Sequence, residues 1–273
     1  MPASALALAL GAAFLHALWN LLIARTPDVQ SATAVAIVVG VVAFAPVAAL
    51  AWEAESEVVP YLVVTSLLQL TYFFLLATAY SRAELSFVYP IARGSAPVLV
   101  LLGGLAILNE SATATQVAGV LLVAGGVLLV RGVRGPAALG DLALALAIGV
   151  CIASYTLLDQ RGIEYASPVV YQELSMIPVA IAFLALTLAR SGRARVRAAV
   201  GLPAAAAGVA SFAAYILVLA ALSRAPAASV AAVRETSVVI ATALAVPLLH
   251  ERVGMARMAG AVVVVVGVAL VSA

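Results

Sequence analysis

The chain has no lysine, a single cysteine (Cys151), two histidines (His16, His250) and only three aspartates (Asp28, Asp141, Asp159) in 273 residues. Each shortage closes off a chemistry. One cysteine builds neither a disulfide nor a cysteine metal site within one chain. Two distant histidines and aspartates near segment ends offer no histidine–carboxylate cluster to hold a catalytic metal. No serine lies in a nucleophile-elbow motif and no phosphate-cradling glycine loop occurs. The sequence therefore predicts no enzyme, no cofactor and no metal. Charged residues make up 10% of the chain, where a water-soluble chain carries about 25% to cover its surface. The fourteen arginines give a net charge of +2 without gathering into a basic face, so no nucleic-acid partner is expected.

What is abundant is apolar: 66% of residues are hydrophobic and the mean hydropathy is +1.20. Apolar runs recur from end to end, and the solvent they imply is lipid. Breaks at charges, Pro/Gly clusters and turn formers leave ten segments, beginning near Ala3, Ala32, Pro60, Ser86, Thr113, Ala138, Ser167, Gly201, Ala228 and Met255. Each runs for about 18 to 24 residues, enough to cross a core of about 30 Å at helical rise. They are continuously Ala/Leu/Val-rich rather than alternating, which argues for helices over barrel strands. The N-terminal run lacks a charged leader and is too long for a signal-peptide core, so it reads as the first span. RSGRARVR (Arg190, Arg193, Arg195, Arg197) falls between two spans and reads as a surface loop.

The chain is duplicated. Trp19, Arg25 and Ser31 recur as Tyr155, Arg161 and Ser167 at an offset of 136, and SRA at 81–83 recurs at 223–225, offset 142. Arg93, Glu110, Gly119 and Gly126 recur as Arg234, Glu251, Gly260 and Gly267, all at offset 141. Two units are expected, residues 1–135 and 136–273. Five spans per unit is odd, so the second unit enters the membrane in the opposite sense to the first. The predicted fold is an all-α integral membrane protein of ten transmembrane helices in two inverted-topology five-helix repeats, an architecture suited to secondary transport.

HALWN in span one, VYPIARGSAPVLVLLGGLAILNE across spans four and five, and VRETSVVIATALAVPLLHER in the second half carry a resemblance. The sequence resembles the EamA-type carriers of the drug/metabolite transporter (DMT) superfamily over nearly its whole length. Two of these stretches end in a glutamate at a short turn, Glu110 and Glu251. The resemblance implies a multi-pass protein of the cell inner (plasma) membrane. It also implies efflux of small metabolites or drugs without an ATPase module.

Polar residues inside spans are expensive and should face a partner or a wet cavity. Call the side of the N-terminus side A and the other side B. Arg93 lies seven residues inside span four, about 10 Å from side B at helical rise. Trp19 and Asn20 reach a similar level from span one, and Tyr89 shares the helix face of Arg93. A second layer forms from side A with Arg234 and Glu235, Glu173, Tyr155, Thr156 and Tyr215. The favoured pair is Glu173 with Arg234. No carboxylate at matching depth serves Arg93, which leaves two readings: it faces the cavity and holds a substrate's anionic group, or it snorkels to the side-B interface or bonds helix-end carbonyls.

Other residues keep two readings as well. Trp19 lines the cavity or anchors at the interface. Asn20, Gln69 and Gln172 bind substrate or bond helix to helix. His16 titrates in proton coupling or packs as a neutral ring; Glu173 and Glu235 are the carboxylates available as proton carriers, with Glu235 preferred if Glu173 pairs with Arg234. Gly119, Gly126, Gly260 and Gly267 form small-residue faces for helix packing, in a monomer or a homodimer, and Pro90 and Pro97 should distort span four. Loop arginines are denser on side B, which places the termini outside, whereas the family resemblance places them in the cytoplasm. The function expected is a secondary-active carrier in the lipid bilayer. It would export small metabolites, amino-acid-like or organic anions, or drugs, by alternating access and proton antiport or facilitated efflux. The alternatives are a flippase for lipid-linked substrates and, behind it, a membrane-embedded enzyme.

Overall fold

In the computed structural model, residues 1–82, 85–131, 139–249 and 254–273 are described. The first unit supplies α1 (Ala3–Ala24), α2 (Val29–Leu50), α3 (Val59–Arg82), α4 (Leu85–Ile107) and α5 (Ala114–Arg131). The second supplies α6 (Leu139–Gly162), α7 (Pro168–Ala198), α8 (Leu202–Leu222), a divided span made of α9 (Ala227–Arg234) and α10 (Thr236–Leu249), and α11 (Met255–Ser272). Among the described residues nine helical stretches are long and apolar enough to cross a bilayer, α9 and α10 counting as one, and α5 is a shorter apolar helix. Helices are the economical solution in lipid because every interior backbone group is satisfied within its own segment.

Local chemistry sets the ends. The Asp28 carboxylate accepts from the Ser31 amide (3.0 Å) and hydroxyl (2.8 Å), capping α2 three residues ahead of its apolar run. Thr113 and Gln116 cap α5 reciprocally, each side chain accepting from the other's amide. The basic stretch after span seven is not a loop: the chain turns at Gly192, in the left-handed region at φ 81°, and continues as a short helix through Ala198. Glycine fits because an added Cβ would be strained there. α4 runs unbroken through Pro90 and Pro97, while the interruption falls at Glu235, where amides bond three residues back instead of four.

The inverted arrangement is visible in what touches what. The Met1 amine donates to the Ser272 carbonyl (2.8 Å), placing both termini on one side. On that same side the α2–α3 connection pairs with the α6–α7 connection, through Glu55 N to Tyr165 O (2.8 Å) and Ser167 N to Glu53 O (2.9 Å). α1 packs on α8 as α6 packs on α3, and α2 meets its counterpart α7. α5 and α11 cross at their glycines. A Cβ on Gly126 would lie 2.9 Å from Gly260 O, and one on Gly119 would lie 2.7 Å from Gly267 O. The small-residue faces are thus occupied within one chain, where small side chains let backbones approach.

Candidate functional site

Between the repeats lies a cavity of about 930 Å³, its open mouth included. Toward side B its walls are half-exposed residues: His16 and Trp19 on α1, Thr33 on α2, Tyr72 and Phe73 on α3. Toward side A it ends on buried ones, Gln172, Val218 and Arg234. The half-exposed part of the wall thus lies toward side B and the buried end toward side A. Aromatic rings supply much of the wall, with Tyr155 edge-on to both Tyr72 and Tyr215.

Arg93 and Arg234 both line this space and are both buried. Their surroundings differ. Arg93 Nε donates to Glu235 Oε2 at 3.0 Å, and its Nη2 donates to Ser237 Oγ at 3.1 Å. The expectation that Arg93 has no acid to pair with is corrected here. Both layers lie about 10 Å inside a core of about 30 Å, so two long side chains span the gap across the midplane. The pair also joins the two repeats, and it occupies Glu235, one of the two candidate carboxylate proton carriers.

The predicted pair of Glu173 with Arg234 does not form. Among the described residues Arg234 has no ion pair, and its Nε has no hydrogen-bond partner. Glu173 is buried, lies outside the cavity lining, and its Oε2 is unpartnered. Successive helical residues point about 100° apart, and on α7 it is Gln172 that turns to the cavity. Its Oε1 and the Nε2 of Gln69, also in the lining, are unpartnered too.

Of the remaining predicted residues, His16, Trp19, Tyr155 and Tyr215 line the cavity. Trp19 Nε1 donates to His16 Nδ1 at 3.2 Å, which ties the two rings together edge to face. Asn20 turns away, donating to the His16 carbonyl of its own helix at 2.7 Å. Tyr89 is on α4, but its side chain lies outside the described ones, as do Arg134, His250, Glu251 and Arg252.

A polar centre absent from the sequence reading sits beneath the cavity. Asp159, three residues from the end of α6, is completely buried. Its Oδ1 accepts from Thr65 Oγ1 (2.5 Å) and Tyr171 OH (2.8 Å), and its Oδ2 from Tyr215 OH (2.5 Å). Four helices, α3, α6, α7 and α8, meet on one carboxylate. The signal available in the sequence was the repeat itself, which sets Asp159 against Ile23 at offset 136.

A bundle of two inverted helical units around a central cavity, with nine membrane-length helical stretches among the described residues, defines a multi-pass membrane protein built like a transporter. Residues 3–132 and 139–273 match the EamA-like transporter family, and the chain belongs to it. A solved structure titled only as the crystal structure of a protein superposes with a TM-score of 0.80 at 18% identity. The alignment covers 100% of this chain and 99% of that one. A search among curated proteins gives no match.

Proposed function

We propose that the protein is a secondary carrier that exports small anionic or zwitterionic metabolites by alternating access, with Arg234 as the anchor for the substrate's acidic group. One observation carries this reading: a buried guanidinium lines the cavity and, among the described residues, makes no ion pair. A buried charge that makes no ion pair is costly, and an incoming carboxylate or phosphate offsets that cost with charge-assisted hydrogen bonds. Arg93 cannot serve in the same way, because Glu235 already neutralises it. The unpartnered amides of Gln69 and Gln172 add a donor and an acceptor to the same lining, a set that suits a substrate carrying an amino group as well as an acid. Tyr72, Tyr155 and Tyr215 supply flat apolar faces with polar tips for the rest of the molecule.

Thermal unfolding of the detergent-purified protein against amino acids, organic anions, nucleosides and cationic drugs tests the reading, since a ligand bound to the native state raises the Tm. The expected result is a rise with an acidic or zwitterionic compound that disappears in Arg234→Gln. A rise confined to cationic drugs, or one that Arg234→Gln retains, would overturn it.

A further inference from the structure

The Asp159 carboxylate lies outside the cavity lining, although its donor Tyr215 is part of that lining, and it sits at the end that alternating access must open. Three O–H donors reach its two oxygens from α3, α7 and α8. The internal repeat places Ala207, Val35 and Phe73 opposite Thr65, Tyr171 and Tyr215, and Ile23 opposite Asp159. At side B, accordingly, Ile23 packs with Ala207 through apolar contact alone. At the corresponding positions the two ends differ in chemistry: among the described residues the side-A contacts converge on a group that can change its charge, and their side-B counterparts are apolar.

We propose that Asp159 is the proton-binding site of the carrier: ionised, it holds the side-A end shut, and it takes up a proton when that end opens. This rests on the carrier reading above. The ionised carboxylate is acceptor-only and matches three donors. The neutral acid must itself donate a proton, so at least one of the three bonds is lost or reversed. Each of those bonds pins a different helix to α6.

The groups facing Asp159 are Thr65 with Tyr61 beyond it on α3, Tyr171 on α7, Tyr215 on α8 and Tyr155 on its own helix. α4 presents Arg93, engaged with Glu235. The cation whose field reaches Asp159 is Arg234 on α9. An anion seated on Arg234 cancels that field and eases protonation of Asp159, so anion and proton load together, and by reciprocity each strengthens the other's binding. Tyr215 both lines the cavity and donates to Asp159, which makes it the contact between the two sites.

The test uses one reporter thiol in the full chain. Ala221 is fully buried on the α8 face that continues from Ala214 and Val218 toward side A. In a Cys151→Ser, Ala221→Cys background, labelling by a maleimide is measured without substrate and normalised at each pH to the same thiol in denatured protein. The expected result is a rise of about tenfold or more between pH 8 and pH 5, near which a buried carboxylate can titrate. Asp159→Asn should label fast across that range. Arg234→Gln should move the midpoint to higher pH, because losing the cation favours the neutral acid. If Asp159→Asn does not fold, Tyr215→Phe keeps the carboxylate, removes one donor and should also label faster at pH 8. A flat native profile, or variants that leave it in place, would overturn the proposal. A flat profile leaves the anchoring role of Arg234 standing, and failure of Arg234 in ligand binding leaves the labelling result standing.

Discussion

Arg93 and Arg234 occupy corresponding places in the two repeats, yet one is ion-paired and the other is open to the cavity. The difference comes from the next position along the chain. Arg234 is followed by Glu235, whereas Arg93 is followed by Gly94, which packs against Leu128 and the Ala124 carbonyl of α5. Two arginines therefore stand near one acid, and it pairs with only one of them. It reaches across the midplane to the arginine of the other repeat, leaving its own neighbour exposed to ligand. Duplication sets where the charges stand, and a single unmatched neighbour decides which of them works.

The largest expected effect comes from breaking the pair. Arg93→Gln strands Glu235 as a buried charge and should cost about 3–5 kcal/mol of stability, read as a large drop in Tm. Arg234→Gln, which removes a charge that makes no ion pair among the described residues, should leave the Tm level or raise it. Equal losses would mean that the two arginines are not distinct. Where the repeats are alike, substitutions should cost alike. Gly126→Ala and Gly267→Ala each press a Cβ to within 3 Å of a facing backbone, and each should lose about 1–3 kcal/mol. Gly125→Ala, with open space around it, should be tolerated.

Glu235→Gln sharpens the comparison differently, because it removes the acid paired with Arg93 and so makes the charge of the shared cavity more positive. Affinity for a dianion over a monoanion should rise by about tenfold, roughly 1.4 kcal/mol, measurable by calorimetry once a ligand is found. The smallest contrast lies at the surface, where Asp28 and Glu164 correspond at offset 136. Asp28 caps a helix, and Asp28→Ala should cost about 1 kcal/mol. Glu164 makes only an exposed pair with Arg161, so Glu164→Ala should cost about 0–0.5 kcal/mol. Burial opposes ionisation of the Asp28 carboxyl, but the Ser31 hydrogen bonds and the field of Arg195 outweigh it and hold it below the usual carboxylate range. Its contribution is thus present at neutral pH and lost only as pH falls through that lowered value.

The spans were legible because hydrophobic length and solvent leave a chain like this few alternatives, and the inversion followed from an odd count and fixed offsets. Boundaries slipped where polar caps precede the apolar run: Asp28 starts α2 at Val29, ahead of the first fully apolar stretch. The break at Glu235 carried no proline to announce it. Depth along a helix brought Arg93, Arg234, Trp19, Tyr155 and Tyr215 to the cavity but misplaced their partners. Depth ranks residues within one span and says nothing about which face they present or how far a side chain reaches across the midplane. Asp159 was hidden for a related reason. A carboxylate three residues from a helix end reads as interfacial until the tyrosines and threonine of three other helices are seen to close over it.

The crossing of α5 and α11 has one further consequence. Gly119 meets Gly267 and Gly126 meets Gly260, so exchanging the repeats returns the same contact. That is the geometry of an isologous subunit interface. In this protein a dimer contact has been folded into a single polypeptide, and its two partners are held at equal concentration by the chain that joins them.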